Sequence, residues 1–295
     1  MRKKVKNRIV ILGLITLLIF LFFLFQEKIT YLISQKEINY PFKKFNKSEI
    51  NKIVIENKNK TTEIYKKNDS WYLKQQQKEL RANKEKVEKI IDALTEIKKT
   101  EIVSKNKNKH QDFGIDKNKV IFFNKKEKII VYVGNSIDLN TNYIRLDNED
   151  DVFLAENFGD VLTTDDWRDL NINLIKNQEN IQKIELSFDE KKLILKKEKD
   201  YWQINQKKAK KDRVDFFIND LTTLKANDIV FSPSLSDINP SIMIIIQEKN
   251  QIKKAEFFEK DKDNYLLKTS FNDVIYQISS PSVSFLKKEE SDFIQ

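Results

Sequence analysis

The chain repeats itself, and no other feature of the sequence constrains its fold as much. Ile50-Asn51-Lys52-Ile53-Val54-Ile55 returns as Ile181-Gln182-Lys183-Ile184-Glu185-Leu186, an offset of 131 residues, and Trp71 returns as Trp202 at the same offset. Residues 81–103 match 208–230 at an offset of 127, with nine of 23 positions identical. Asn142-Tyr143 and Asp151-Val152 then match Asn264-Tyr265 and Asp273-Val274 at an offset of 122. Offsets that shift only where loops are expected are the mark of a duplicated fold. The sequence therefore divides into a first repeat over 49–170, a polar linker over 171–180 and a second repeat over 181–295.

Each repeat shows the same order of local patterns. Alternating apolar and polar residues predict strands over 52–56, 61–67 and 70–74 in one copy, and over 182–188, 191–197 and 200–204 in the other. A helix follows. Val87, Ile90, Ile91, Leu94 and Ile97 form one apolar stripe, and Val214, Phe217, Ile218, Leu221 and Leu224 repeat it. Four further strands are predicted near 119–124, 128–133, 142–146 and 151–155, with counterparts near 241–247, 253–258, 264–268 and 273–278. A closing helix is predicted from Glu156 to Asp169. Strands grouped around single helices give an α+β class, two tandem modules of mostly antiparallel strands with one main helix each. The predicted repeat core is Trp71, Val87, Ile91 and Leu94 in one copy and Trp202, Val214, Ile218 and Leu221 in the other.

Ahead of the repeats, Ile9 to Phe25 is an uncharged run of 17 residues, IVILGLITLLIFLFFLF. Such a helix is about 25 Å long, near the lower limit for crossing a bilayer. Arg2, Lys3, Lys4, Lys6 and Arg8 precede it, which sets the N-terminus in the cytoplasm. A cleaved signal peptide would need small residues after the run, and Gln26-Glu27-Lys28-Ile29 offers none. A buried core helix would not need five cations at one end. The reading is a basic tail over 1–8, an uncleaved single-pass anchor over 9–26, a spacer over 27–48, and a bulk lying beyond the cell membrane. The lipid bilayer is the first expected partner.

The net charge of +9 does not make this a nucleic-acid binder. Residues 1–28 carry six basic side chains and one acid, so five of those charges sit beside the anchor. Only six of the 54 basic residues are arginine, the side chain that suits phosphates and bases best.

Composition also removes most chemistry. There is no cysteine, which excludes disulfides, thiolate metal sites and a lipidated cysteine. Four glycines leave almost no room for a phosphate-cradling loop, and one histidine, His110, does not make a triad. His110 reads as a solvated loop residue; Gly114 and Gly134 read as positive-φ turns. Trp71 and Trp202 could serve as stacking platforms, but duplicated core positions explain them better. Asp165 and Asp166 beside Trp167 and Arg168 could share a proton; as helix neighbours they point apart and suit a first turn. No catalytic, cofactor-binding or metal-binding residue is assigned.

Ile-x-x-Ile-x-Ile, then Trp71-Tyr72-Leu73, then Ala82-Asn83 opening the Val87/Ile91/Leu94 helix, then Phe113-Gly114-Ile115-Asp116, together resemble the bacterial domain of unknown function 4340. The chain departs from that pattern at Asn83, Phe113 and Ile115, and has no following proline in copy one; copy two has Ile238-Asn239-Pro240. The resemblance implies a single N-terminal anchor and no established catalytic residues. Some members are similar to auxiliary components of gliding-motility or ABC-2 transporters, so it implies a membrane permease as partner. The expected function is non-enzymatic binding or assembly at the cell envelope. The alternatives are a carboxylate enzyme acting on envelope glycan or lipid, and a polyanion-binding surface.

Overall fold

The computed structural model describes residue 42 and residues 46–294, apart from 58–59, 98–101, 160–165, 232, 234 and 236–237. The apolar run from Ile9 to Phe25, the cations Arg2, Lys3, Lys4, Lys6 and Arg8, and most of the spacer lie outside the described residues. Among the described residues no helix is long and apolar enough to cross a membrane. The chain divides into two compact units between Trp167 and Arg168.

Unit 1 contains β1 (Lys52–Asn57), β2 (Lys60–Lys67), β3 (Ser70–Gln75), β4 (Lys78–Arg81), α1 (Lys84–Glu96), β5 (Ile102–Ser104), β6 (Asn118–Phe123), β7 (Lys128–Ser136), β8 (Thr141–Leu146) and β9 (Val152–Glu156). They form one nine-stranded sheet in the order β4-β3-β2-β1-β6-β7-β8-β9-β5. Its strand pairs are antiparallel. The central pair is β1 with β6, which are far apart in sequence. The helix links β4 at one edge of the sheet to β5 at the other.

Unit 2 contains β10 (Ile181–Phe188), β11 (Lys191–Lys197), β12 (Trp202–Ile204), β13 (Lys207–Lys208), α2 (Lys211–Thr222), β14 (Asp228–Val230), β15 (Ile242–Glu248), β16 (Ile252–Asp261), β17 (Asn264–Thr269) and β18 (Asn272–Ser279), followed by the single turns α3 (Ser280–Val283) and α4 (Ser291–Ile294). Its sheet order, β13-β12-β11-β10-β15-β16-β17-β18-β14, repeats the first position by position. Antiparallel sheets with few helices make the class α+β.

Local chemistry explains the elements. Two-residue hairpin turns of type I′ need positive φ at both positions. Asn68-Asp69, Gln76-Gln77, Asp189-Glu190 and Asn205-Gln206 all adopt it. Asn83 caps α1, its side-chain oxygen accepting from the backbone N–H of Lys86 at 3.0 Å. The stripe Val87, Ile90, Ile91 and Leu94 is buried against the sheet, as are Val214, Phe217, Ile218 and Leu221 of α2. Trp71 and Trp202 are buried in their respective cores.

Several expectations are corrected. Each sheet has two short strands more than the sequence indicated, β4 and β5 in one and β13 and β14 in the other. The closing helix is narrower than expected at both ends: Glu156 ends a strand, Asn157 follows with φ +68°, Gly159 is helical, residues 160–165 lie outside the described residues, and residues 166–169 are not helical. The closing segments work through their backbone. The Trp167 carbonyl accepts from Asn83 N at 2.8 Å, and the Phe293 carbonyl accepts from Lys210 N at 2.8 Å. Both aromatic rings are buried, so each closes its unit over the start of the helix. The stretch 171–180 is not a free linker, because Ile172, Leu174 and Ile175 are buried in unit 2. His110 is 5% exposed, with Nε2 at 2.9 Å from the Asp150 carbonyl, so it is a satisfied interior side chain. Gly114 has φ +69°, but Gly134 lies inside β7. A Cβ on Gly134 would stand 2.3 Å from the Phe113 carbonyl oxygen, so close approach, not turn geometry, requires glycine there.

Candidate functional site

One face of the unit 1 sheet is turned away from α1. Strand alternation puts Ile55, Val120, Val131 and Ile144 in the core and their neighbours Glu56, Lys119, Tyr132 and Arg145 on the outer face. The pairing register aligns these into one row across five strands, Thr61–Glu56–Lys119–Tyr132–Arg145. Beside this row is an open groove of about 450 Å³. Its walls come from the ends of β1 and β2, the segment from Asp116 to Lys119, and Tyr132.

The row is internally paired. Lys119 Nζ lies 2.9 Å from Glu56 Oε2. The hydrogen bond to Glu56 raises the Lys119 pKa above the ordinary lysine value, against the opposing effect of partial burial. Arg145 stacks over Tyr132, its guanidinium carbon 3.9 Å from the ring centroid. The same guanidinium donates to the carbonyls of Leu146 at 3.2 Å and Glu149 at 3.0 Å. The ring is thus fixed from one side. The remaining groove walls belong to β1, β2 and the start of β6, on the other side of Tyr132 from β8.

A smaller depression of about 170 Å³ lies on unit 2 between α2 and the C-terminal turn, with Phe217 and Phe293 in its lining. Among the described residues no cluster of His, Asp and Glu could hold a metal ion.

The residues singled out from sequence lie elsewhere. Trp71, Val87, Ile91, Leu94, Trp202, Val214, Ile218 and Leu221 are all buried. The Asp166 backbone carbonyl accepts from Lys86 Nζ at 2.8 Å within unit 1, while Arg168, the first residue of unit 2, pairs with Asp228 of the same unit at 2.7 Å. Asp165 lies outside the described residues. Sequence reasoning missed Glu56, Lys119 and Tyr132 because each is an ordinary outward residue on its own strand. The pairing of β1 with β6 brings them together, and no local pattern states that pairing.

Among the described residues, a nine-stranded antiparallel sheet crossed by one long helix, repeated in tandem, defines the architecture. The chain belongs to the domain of unknown function family DUF4340, whose profile matches residues 71–241, more than half of its length. No curated protein matches the chain, and no solved structure does.

Proposed function

We propose that this is a membrane-tethered, extracytoplasmic protein of the bacterial cell envelope that binds or assembles, without catalysing a reaction. The observation that carries the reading is the 17-residue uncharged run from Ile9 to Phe25, preceded by five cations and followed by two copies of one fold. A run of that kind suits a retained anchor with the N-terminus inside. The groove supports binding over catalysis, because Glu56 is committed to Lys119 at 2.9 Å. A general acid or base needs a carboxyl group free to meet the substrate, and this one is already bonded to a lysine. An ABC-2 type permease is the proposed membrane partner, on the strength of the resemblance alone.

The test is fractionation with protease protection. The chain is expected in the membrane pellet after an alkaline carbonate wash, with both units cut by protease added to spheroplasts. Recovery in the soluble fraction, or protection from external protease, would refute it. Purification from detergent-solubilised membranes is expected to retain a permease; repeated recovery without any membrane protein would remove that partner.

A further inference from the structure

The two units share a topology, so their outer faces can be compared position by position. The unit 2 row equivalent to Thr61–Glu56–Lys119–Tyr132–Arg145 is Lys192–Ser187–Met243–Glu256–Lys268. The ion pair across β1 and β6 becomes Ser187 and Met243. The aromatic ring becomes Glu256, which pairs with Lys254 on its own strand at 2.7 Å. Core positions stayed alike after duplication while this row diverged, so fold stability does not dictate its composition. The groove chemistry is specific to unit 1.

We propose that this groove binds a short saccharide, with Tyr132 as the stacking surface and Glu56, Asp116, Lys117 and Lys119 supplying hydrogen bonds. The proposal rests on the reading of the chain as a binding protein. Its volume of about 450 Å³ suits a small ligand, within the range of about 300–1,000 Å³ usual for such clefts. The lining holds two carboxylates and three ammonium groups, one carboxylate and one ammonium already joined at 2.9 Å. Such near-balance does not favour a polyanion or a cation, each of which calls for walls of one sign. Hydroxyl groups both donate and accept, and so match mixed carboxylate, ammonium and amide walls. The C–H face of a sugar ring carries slight positive charge, which suits the negative face of an aromatic ring. Arg145 holds that ring in place before any ligand arrives, which lowers the ordering cost of binding.

The experiment uses the full chain in detergent micelles. Tri-N-acetylchitotriose, cellotriose and maltotriose are titrated by calorimetry and by saturation-transfer NMR, with inorganic phosphate alongside. At least one trisaccharide is expected to bind. Tyr132→Ala should weaken it about tenfold or more, Tyr132→Phe should retain most of the affinity, and Glu256→Ala on unit 2 should leave it unchanged. Glu56→Gln should weaken binding as well, which covers the case in which Tyr132→Ala does not fold. The proposal is overturned if none of the three sugars binds, if binding survives both Tyr132→Ala and Glu56→Gln, or if phosphate alone binds. Any of those results leaves the membrane reading standing, because fractionation tests that separately.

Discussion

Lys253 and Glu248 give the sharpest energetic test of the structure. Both are nearly sealed from solvent, 4% and 7% exposed. Lys253 Nζ donates to Glu248 Oε1 at 2.9 Å and to the Leu174 carbonyl at 3.0 Å, and Gln251 donates to the other carboxylate oxygen. Replacing Glu248 with Ala leaves an ammonium in the interior with the Leu174 carbonyl and the face of Phe271 as partners but no counter-charge. Stranding one member of a buried pair costs about 3–5 kcal/mol. For a unit of this size that is a fall of about 9–20 °C in melting temperature. Replacing both members, Lys253→Met with Glu248→Leu, removes the desolvation cost along with the attraction, and should land within about 1 kcal/mol of the parent or above it. The exposed Lys84–Glu88 pair is the control, expected to matter by less than about 0.5 kcal/mol. Hydrogen exchange read by mass spectrometry over β15 and β16 localises the effect to unit 2, which a single melting curve of a two-unit chain cannot do. A single variant that loses less than about 1 kcal/mol, or a double variant as weak as the singles, would refute the buried pair.

Three further outcomes follow from single contacts. Lys210 stands where Asn83 stands in unit 1 but makes no side-chain cap, so Lys210→Asn should stabilise unit 2 by about 0.5–1 kcal/mol in denaturant titration. Gly134→Ala drives a methyl to 2.3 Å from the Phe113 carbonyl oxygen and should cost about 1–3 kcal/mol by the same assay. The Tyr65 hydroxyl donates to Glu79 at 2.7 Å, and burial first, with that carboxylate second, pushes its pKa up to about 12. Because the folded value lies above the unfolded one, the stabilisation is complete below about pH 10 and is lost as pH rises through the folded pKa. Phenolate absorbance should show one late-titrating tyrosine that returns toward the ordinary range in Glu79→Gln.

The long strands and both helices are legible in the sequence because their burial is one-sided. Ile53 and Ile55 alternate with Val54 and Glu56, and the α1 stripe recurs every three or four residues. The short edge strands are not legible, because β4 carries Lys78, Glu79 and Arg81 around one buried Leu80, and its turn is Gln76-Gln77, without the usual Asn-Gly signal. The end of the closing segment is not legible for a different reason. Trp167 is held through its carbonyl, which any residue has, and its ring is buried without helical periodicity. His110 is buried by a carbonyl partner 40 positions along the chain, which no local window contains. The groove has the same origin. Its ion pair depends on a strand register set by pairing across more than sixty residues, and only the assembled sheet reveals it.

The family profile and the folding units are out of phase, which leads to a last prediction. The profile begins at Trp71, inside β3, and ends at Ser241, one residue before β15. A fragment cut to those limits lacks β1 and β2 from one sheet and β15 to β18 from the other. In unit 1, β1 pairs with β2 on one side and β6 on the other through every one of its residues. Without β1 and β2, the pair β3–β4 has no link to β6–β9, and Ile53, Ile55 and Ile64 are missing from the core. In unit 2 the loss of β15 bares one whole edge of β10, and Phe257, Leu267, Tyr276 and Ile278 go with the strands beyond it. Two sheets cut this way cannot bury enough apolar surface to offset chain entropy. The fragment 71–241 should therefore show no cooperative thermal transition, while 168–295 should unfold in one step. Cooperative melting of 71–241, or an unfolded 168–295, would show that the stable unit is not the single nine-stranded sheet.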